Sequence, residues 1–386
     1  PTAAGSSGRA SPHPDAVSWC PASRPLSTER PDTGRPTRIE VTNISSPQVF
    51  ERGHDGRESD TRTTYGWVAA TWTVVAVFAV VTAVRAAQVD LPLRDPRGSI
   101  FIGRIALSFG IAVALILLDA VIRTGRRGWT LRKAWGVLRA RWPLHRLTLL
   151  VTGLLAYHVV YSCYRNLKSW NAFRDQHDVG LQRIDSWLFF GNSPAVLLHD
   201  MFGEDIAPHV FRAIYESFSI MVPISFVAAL VLATRIREGY VFLTSAMWVW
   251  ILGVGSYYLI PAIGPFHSFP SDFAGLDPTS VTATQAKYMV QREQLLEHPA
   301  WGDSFASIGA FASLHTGFTC MILLMLHYYG FTRWVRVMTV YLAAVMVSTI
   351  YLGWHFVLDD IAGIILAVAA VQLGRLTIYG RARRAA

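Results

Sequence analysis

Charge is scarce in this chain. Only 16% of its 386 residues are Asp, Glu, Lys or Arg, against 52% hydrophobic, and 13 are Trp. That balance excludes an ordinary soluble domain of this length. Cysteine is scarcer still. Cys20, Cys163 and Cys320 form no CxxC or other metal-ligand spacing, and no structural disulfide is expected. No HExxH pair is present to build a hydrolytic metal site. No repeat period marks a solenoid. Residues 1–62 contain no short apolar core of the signal-peptide type. The formal charge of +9 does not argue for nucleic acid, because the basic residues flank apolar runs instead of clustering on a polar domain.

What the chain does have is apolar runs near twenty residues, each long enough to cross a bilayer core of roughly 30 Å. About eight are readable, with cores near 66–86, 101–122, 147–164, 208–233, 240–262, 307–329, 334–353 and 355–376. The expected fold class is therefore all-α, a polytopic transmembrane helix bundle of about eight spans. Residues 1–62, rich in Pro, Ser, Thr, Gly and Arg, read as a disordered cytoplasmic tail. A segment near 184–202 is amphipathic and broken by Gly191, Asn192 and Pro194, which predicts a surface-lying or re-entrant piece.

Loop charges predict the orientation. Residues 123–146 carry Arg123, Arg126, Arg127, Arg132, Lys133, Arg139, Arg141 and Arg146 without an acid, whereas 264–304 hold five acids against Lys287 and Arg292. Basic loops stay cytoplasmic. Both termini are thus expected inside, with 165–207 and 264–306 outside. The Arg- and Ala-rich composition suggests a bacterial plasma membrane.

Ionisable residues inside apolar runs need a reason. His355 and Asp359, four apart, share one helix face at the outer mouth of the last run. Asp360 points about 100° away and reads as a favourable charge at a helix start. Ser313 and His315, in "FASLHTGFT", open the sixth run at the same membrane side. A carboxylate orients an imidazole and raises its basicity. A second histidine can protonate a leaving oxygen, and a hydroxyl with helix-start amides can hold an anion. Such a set suits in-line attack on phosphorus through a phosphohistidine. Two other readings stay open. Two His and one Asp could ligate zinc, and polar residues could line a transport path, although repeats and broken spans are missing. Ser313 could equally be a helix cap.

Two stretches resemble motifs of the type-2 phosphatidic acid phosphatase superfamily. "SLHTG" (Ser313–Gly317) is similar to its second motif, PSGH, and "STIYLGWHFVLD" (Ser348–Asp359) to its third, SRxxxxxHxxxD. The resemblance covers roughly 150–376. It implies His355 as nucleophile, Asp359 as its support, His315 as general acid, and Ser313 and Gly317 against the phosphoryl oxygens. It also implies a six-helix phosphatase-like core at 147–378, preceded by two extra helices and a basic loop at 63–146, with a basic tail at 379–386. The pattern departs from the family at Thr349, where Arg is usual, at Ala312 and Leu314, and in having no KxxxxxxRP before the sixth run. The form SLH followed by YLxxHxxxD, without Arg, resembles the branch containing fungal inositol phosphorylceramide synthase, an inositolphosphotransferase. Arg165 and Lys168, three apart, are candidates to balance phosphate charge in place of the missing Arg, and Tyr351 is a candidate lining residue. No metal, cofactor, nucleic acid or obligate protein partner is expected; a lipid phosphate or phospholipid and the bilayer are. "KYMVQREQLLEH" (Lys287–His298) has helical spacing and is expected to lie over the pocket. "WVW" (Trp248–Trp250) reads as packing.

Overall fold

The computed structural model describes residues 65–125 and 128–380. The expected tail at 1–62 and residues 381–386 of the expected tail at 379–386 lie outside the described residues; Tyr379 ends the last helix instead. Among the described residues thirteen α-helices follow in order: α1 (Gly66–Val89), α2 (Ser99–Gly125), α3 (Leu131–Arg141), α4 (Leu144–Trp170), α5 (Asp178–Leu188), α6 (Pro194–Phe202), α7 (Ala207–Leu232), α8 (Ile236–Leu259), α9 (Pro265–Ser268), α10 (Ser280–Glu297), α11 (Leu314–Tyr328), α12 (Thr332–Tyr351) and α13 (Val357–Tyr379). No strand occurs among the described residues. Among the described residues, seven helices, α1, α2, α4, α7, α8, α12 and α13, are long and apolar enough to cross a membrane. Their bounds fall within a few residues of the hydropathy-based expectation.

The sixth expected span is shorter. Helix α11 has 15 residues, and the stretch before it is not helical. Hydropathy reads the small, apolar "FASIGAFAS" as span. Its backbone N–H groups, however, find partners outside a helix: Ala306 on Ser169 Oγ, Ala310 on the Ala262 carbonyl and Ala312 on Ser256 Oγ. A backbone satisfied in this way needs no helix, even in an apolar setting. Ser313 then caps α11, its hydroxyl accepting from Thr316 N–H.

The loops gather at two ends of the bundle. At one end, Arg94 N–H donates to Asn166 Oδ1 (2.7 Å) and the Arg94 guanidinium to the Pro299 carbonyl (3.0 Å). His177 N–H bonds the Pro261 carbonyl there, and Phe266 N–H the Gly353 carbonyl. At the other end, Arg146 donates to the Val231, Ala233 and Thr234 carbonyls. Arg237 does the same to the Ile378 carbonyl (2.8 Å).

Helix α8 is the most enclosed span, with 72% of its apolar window buried within the protein. Helix α13 approaches its neighbours through small residues, as membrane helices do. A Cβ on Gly363 would stand 2.5 Å from the Ser313 carbonyl oxygen. At Gly264 the backbone takes φ +121°, and a Cβ there would meet the Trp354 carbonyl at 2.7 Å. Only glycine permits that approach, which seats the 264–268 turn on the loop carrying His355.

Candidate active site

His355 lies in the short loop between α12 and α13, with Trp354 N–H and His355 N–H both directed to the Thr349 carbonyl. One helical turn on, Asp359 is fully buried. Its Oδ2 accepts from Phe356 N–H at 2.9 Å and stands 3.3 Å from His355 Nδ1. Its Oδ1 has no partner. With Nδ1 engaged by the carboxylate, Nε2 is the nitrogen left for chemistry. Burial pushes His355 down to about 4; the nearby charge of Asp360 only partly offsets it, and the Lys168 ammonium adds to it. The imidazole is therefore neutral near pH 7 and keeps a free lone pair.

His315, the second residue of α11, faces it, with 6.0 Å between ring centroids. Aromatic rings of α7 fix the orientation of His315. Tyr215 stacks on it at 4.3 Å and Phe218 lies at 4.2 Å. Tyr215 stacks in turn on Trp354 at 5.4 Å, with the planes 2° apart. Both histidines line a cavity of about 470 Å³, a size usual for small-ligand sites. Lys168 lines it too, its ammonium 5.0 Å from the centre of the Tyr257 ring. No carboxylate lies within ion-pair distance of Lys168 among the described residues. Helix α10 borders the cavity through Val281, Thr284 and Tyr288, and Gln285 Nε2 donates to the Leu352 carbonyl at 2.8 Å. Residues 287–297 thus belong to a helix, capped by His298, that borders the cavity through its first half, up to Tyr288.

Other candidates fall elsewhere. Arg165 places its guanidinium 4.3 Å over the Phe305 ring and does not line this cavity. Ser313 is buried as the α11 cap, and its N–H bonds the Asp359 carbonyl at 3.0 Å. It ties the two motif stretches together from behind. Gly317 packs against Gly363, and Tyr351 is buried with its hydroxyl donating to the Gly203 carbonyl at 2.6 Å. Neither lines the cavity. The reason is common to both: each sits on the helix face turned towards a neighbouring helix, which spacing from one motif residue does not disclose.

Two readings change. Asp360 is more than a charge at a helix start. It is fully buried and accepts from Thr316 Oγ1 (2.6 Å) and Thr349 Oγ1 (3.2 Å). Thr349, where the family pattern has Arg, is buried, and its hydroxyl is shared between the Met346 carbonyl (2.8 Å) and this carboxylate. Trp250 is not packing alone: it borders the cavity and donates from Nε1 to Tyr157 Oη at 3.0 Å.

Sequence reasoning missed helix α5. Asp178 and Asp185, seven apart, each grip a piece of backbone. Asp178 accepts from Ile263 and Gly264 N–H. Asp185 accepts from Val357 N–H (2.7 Å) and Leu358 N–H (3.2 Å), two of the free donors at the start of α13. Burial pushes the Asp185 carboxyl up, and the two N–H bonds offset this only in part. A seven-residue Asp pair on an amphipathic helix was the available signal. Asp185→Ala is expected to cost about 0.5–2 kcal/mol of stability, the usual worth of a cap, and to lower turnover about tenfold by loosening the loop that aims His355. Asp185→Asn, which keeps one acceptor, recovers part of the loss. Thermal unfolding together with separate kcat and KM values checks this; a stability loss with unchanged kcat would leave Asp185 as a cap only.

Membrane-spanning helices around a cavity that joins two histidines, with a carboxylate behind one, define an integral membrane protein of the phosphatase type. The chain belongs to the PAP2 superfamily, whose family model matches residues 179–373, slightly more than half of the chain. No curated protein and no solved structure matches it.

Proposed function

We propose that the chain is a lipid-phosphate phosphotransferase working through a phosphohistidine at His355. One observation carries this reading: His315 and His355 face each other at 6.0 Å in one cavity, with Asp359 on the Nδ1 of His355. Nε2 of His355 forms a bond to phosphorus while the bond from phosphorus to the lipid alcohol oxygen breaks, and His315 gives that oxygen its proton. In the second step an acceptor hydroxyl loses its proton to His315 and attacks phosphorus, and the P–N bond breaks. Asp359 holds the imidazole in the right tautomer and stabilises the charge it acquires. The Lys168 ammonium balances the phosphoryl charge in the place of the family arginine.

Thr349 favours transfer over plain hydrolysis, because the arginine-free motif is the form similar to the inositolphosphotransferase branch. The donor is then a phosphoinositol-bearing or related phospholipid, and the reaction takes place at the outer membrane face, to which the loop charges assign the His355 end. Hydrolysis of a lipid phosphate or polyprenyl diphosphate is the second reading, since the same intermediate can be released by water. Purified protein given labelled phosphatidylinositol, phosphatidic acid and polyprenyl diphosphate, with and without an alcohol acceptor, separates the two by product mass spectrometry. Transfer yields a new phosphodiester that depends on the acceptor. Release of free phosphate or inositol phosphate alone, unaffected by acceptor, would overturn transfer. Loss of activity in EDTA would overturn the metal-free chemistry.

A further inference from the structure

The cavity that holds the two histidines does not end with them. It continues between α2, α4 and α7, where Arg104, Leu107 and Ser108 of α2 form its wall. Helix α2 lies outside the span matched by the family model. Arg104 stands less than two turns inside a membrane-length helix. A charge at that depth is costly, and one that lines a cavity is a binding-site candidate. Its guanidinium lies 4.5 Å over the Tyr161 ring. No carboxylate is within ion-pair distance of it among the described residues, so its planar fork of donors is available to a ligand anion. Glu216 also borders the cavity but is engaged by the Ser280 hydroxyl.

Beside Arg104 is a buried polar pair. His158 Nδ1–H donates to the Leu154 carbonyl (2.7 Å), which leaves Nε2 to accept from the Ser108 hydroxyl (3.2 Å). Both residues are almost wholly buried and line the cavity. The serine oxygen keeps its lone pairs for a donor on a ligand. Leu107 lines the same stretch and is 56% exposed, so the cavity here reaches the lipid-facing surface.

The two cations mark two separate places. Arg104 sits over the Tyr161 ring at 4.5 Å, whereas the Lys168 ammonium sits by the rings of Tyr257 (5.0 Å) and Tyr164 (5.8 Å). We propose that Arg104 binds the phosphate of a second anionic lipid, whose chains lie against α2 and α7 at the surface opening while the first lipid reacts between His315 and His355. This rests on the phosphotransferase reading, in which a lipid held in the adjoining part of the cavity is placed to reach the phosphohistidine once the first lipid alcohol has left.

The test counts bound lipid instead of turnover. Protein carrying His355→Ala, which cannot turn over, is placed in phosphatidylcholine nanodiscs and titrated with dioleoyl phosphatidic acid, and stoichiometry is read by native mass spectrometry. Two phosphatidic acids are expected to bind. Adding Arg104→Gln weakens the second at least about tenfold, the loss of a charge-assisted contact. Arg104→Lys keeps most of it and controls for folding. Dioleoylglycerol, with the same chains and no phosphate, does not fill the second site, and millimolar inorganic phosphate does not empty it. A single binding event with Arg104 present would overturn the proposal, as would two unchanged events in the Arg104→Gln protein. Emptying by inorganic phosphate would overturn the lipid assignment. Failure of the phosphotransferase reading itself shows separately, in the products of the unsubstituted protein.

Discussion

His355→Ala is expected to lower turnover by on the order of 10⁴-fold or more, with the protein still folded. Removal of a nucleophile leaves only positioning and electrostatics, and losses of that size are usual. The imidazole is poor structural material by comparison. Its side chain is bonded to Asp359, and that carboxylate keeps the Phe356 N–H at 2.9 Å when the ring is gone. Phe356, Trp354 and Tyr351 remain packed around the site. Thermal unfolding should therefore change little, while lipid turnover vanishes. Turnover near the wild-type rate would remove His355 from the chemistry. His315→Ala is the milder companion, because a missing general acid costs about 10²–10⁴-fold and a leaving group of low pKa partly replaces it.

Lys168→Gln is expected to cost about 10²–10³-fold in turnover, the scale seen when a preorganised group facing developing charge is removed. Lys168 is the cation in the cavity beside the histidines, its stem running past Gly309 and its ammonium over Tyr257. Thr349 cannot take that part, because it carries no positive charge and its buried hydroxyl is turned to the Met346 carbonyl and Asp360. Arg165→Gln is the control. Its guanidinium lies over Phe305, away from the cavity of the histidines, and turnover should change less than about threefold, as for a side chain outside the reacting geometry. Equal losses in the two variants would show that the phosphate charge is met by the pair and not by Lys168. Steady-state kinetics on one phospholipid substrate decides this.

These residues show why parts of the site were legible and others were not. Apolar runs near twenty residues read directly as spans, because bilayer thickness fixes their length. His355 and Asp359 declare a common face by their spacing of four, and counting spans returns His315 to the same end of the bundle. The choice between Arg165 and Lys168 could not be made that way. Three residues apart, they are neighbours on a helix surface, and only the packing of Phe305 against one and Tyr257 against the other separates them. The partners of Asp360 come from α11 and α12, and those of Asp185 from across 172 residues of chain. Local spacing carries no record of either. The shortened α11 was hidden because hydropathy counts apolar atoms and not where a backbone N–H finds its acceptor.

The most direct measurement is capture of the covalent intermediate. Protein is mixed with ³²P-labelled phospholipid, quenched in alkali and digested, and the labelled peptide is sequenced. The label should sit on His355, stable in base and lost in acid, be discharged by added acceptor, and be missing from His355→Ala. Label on another residue, or labelling that persists in His355→Ala, would contradict the phosphohistidine account.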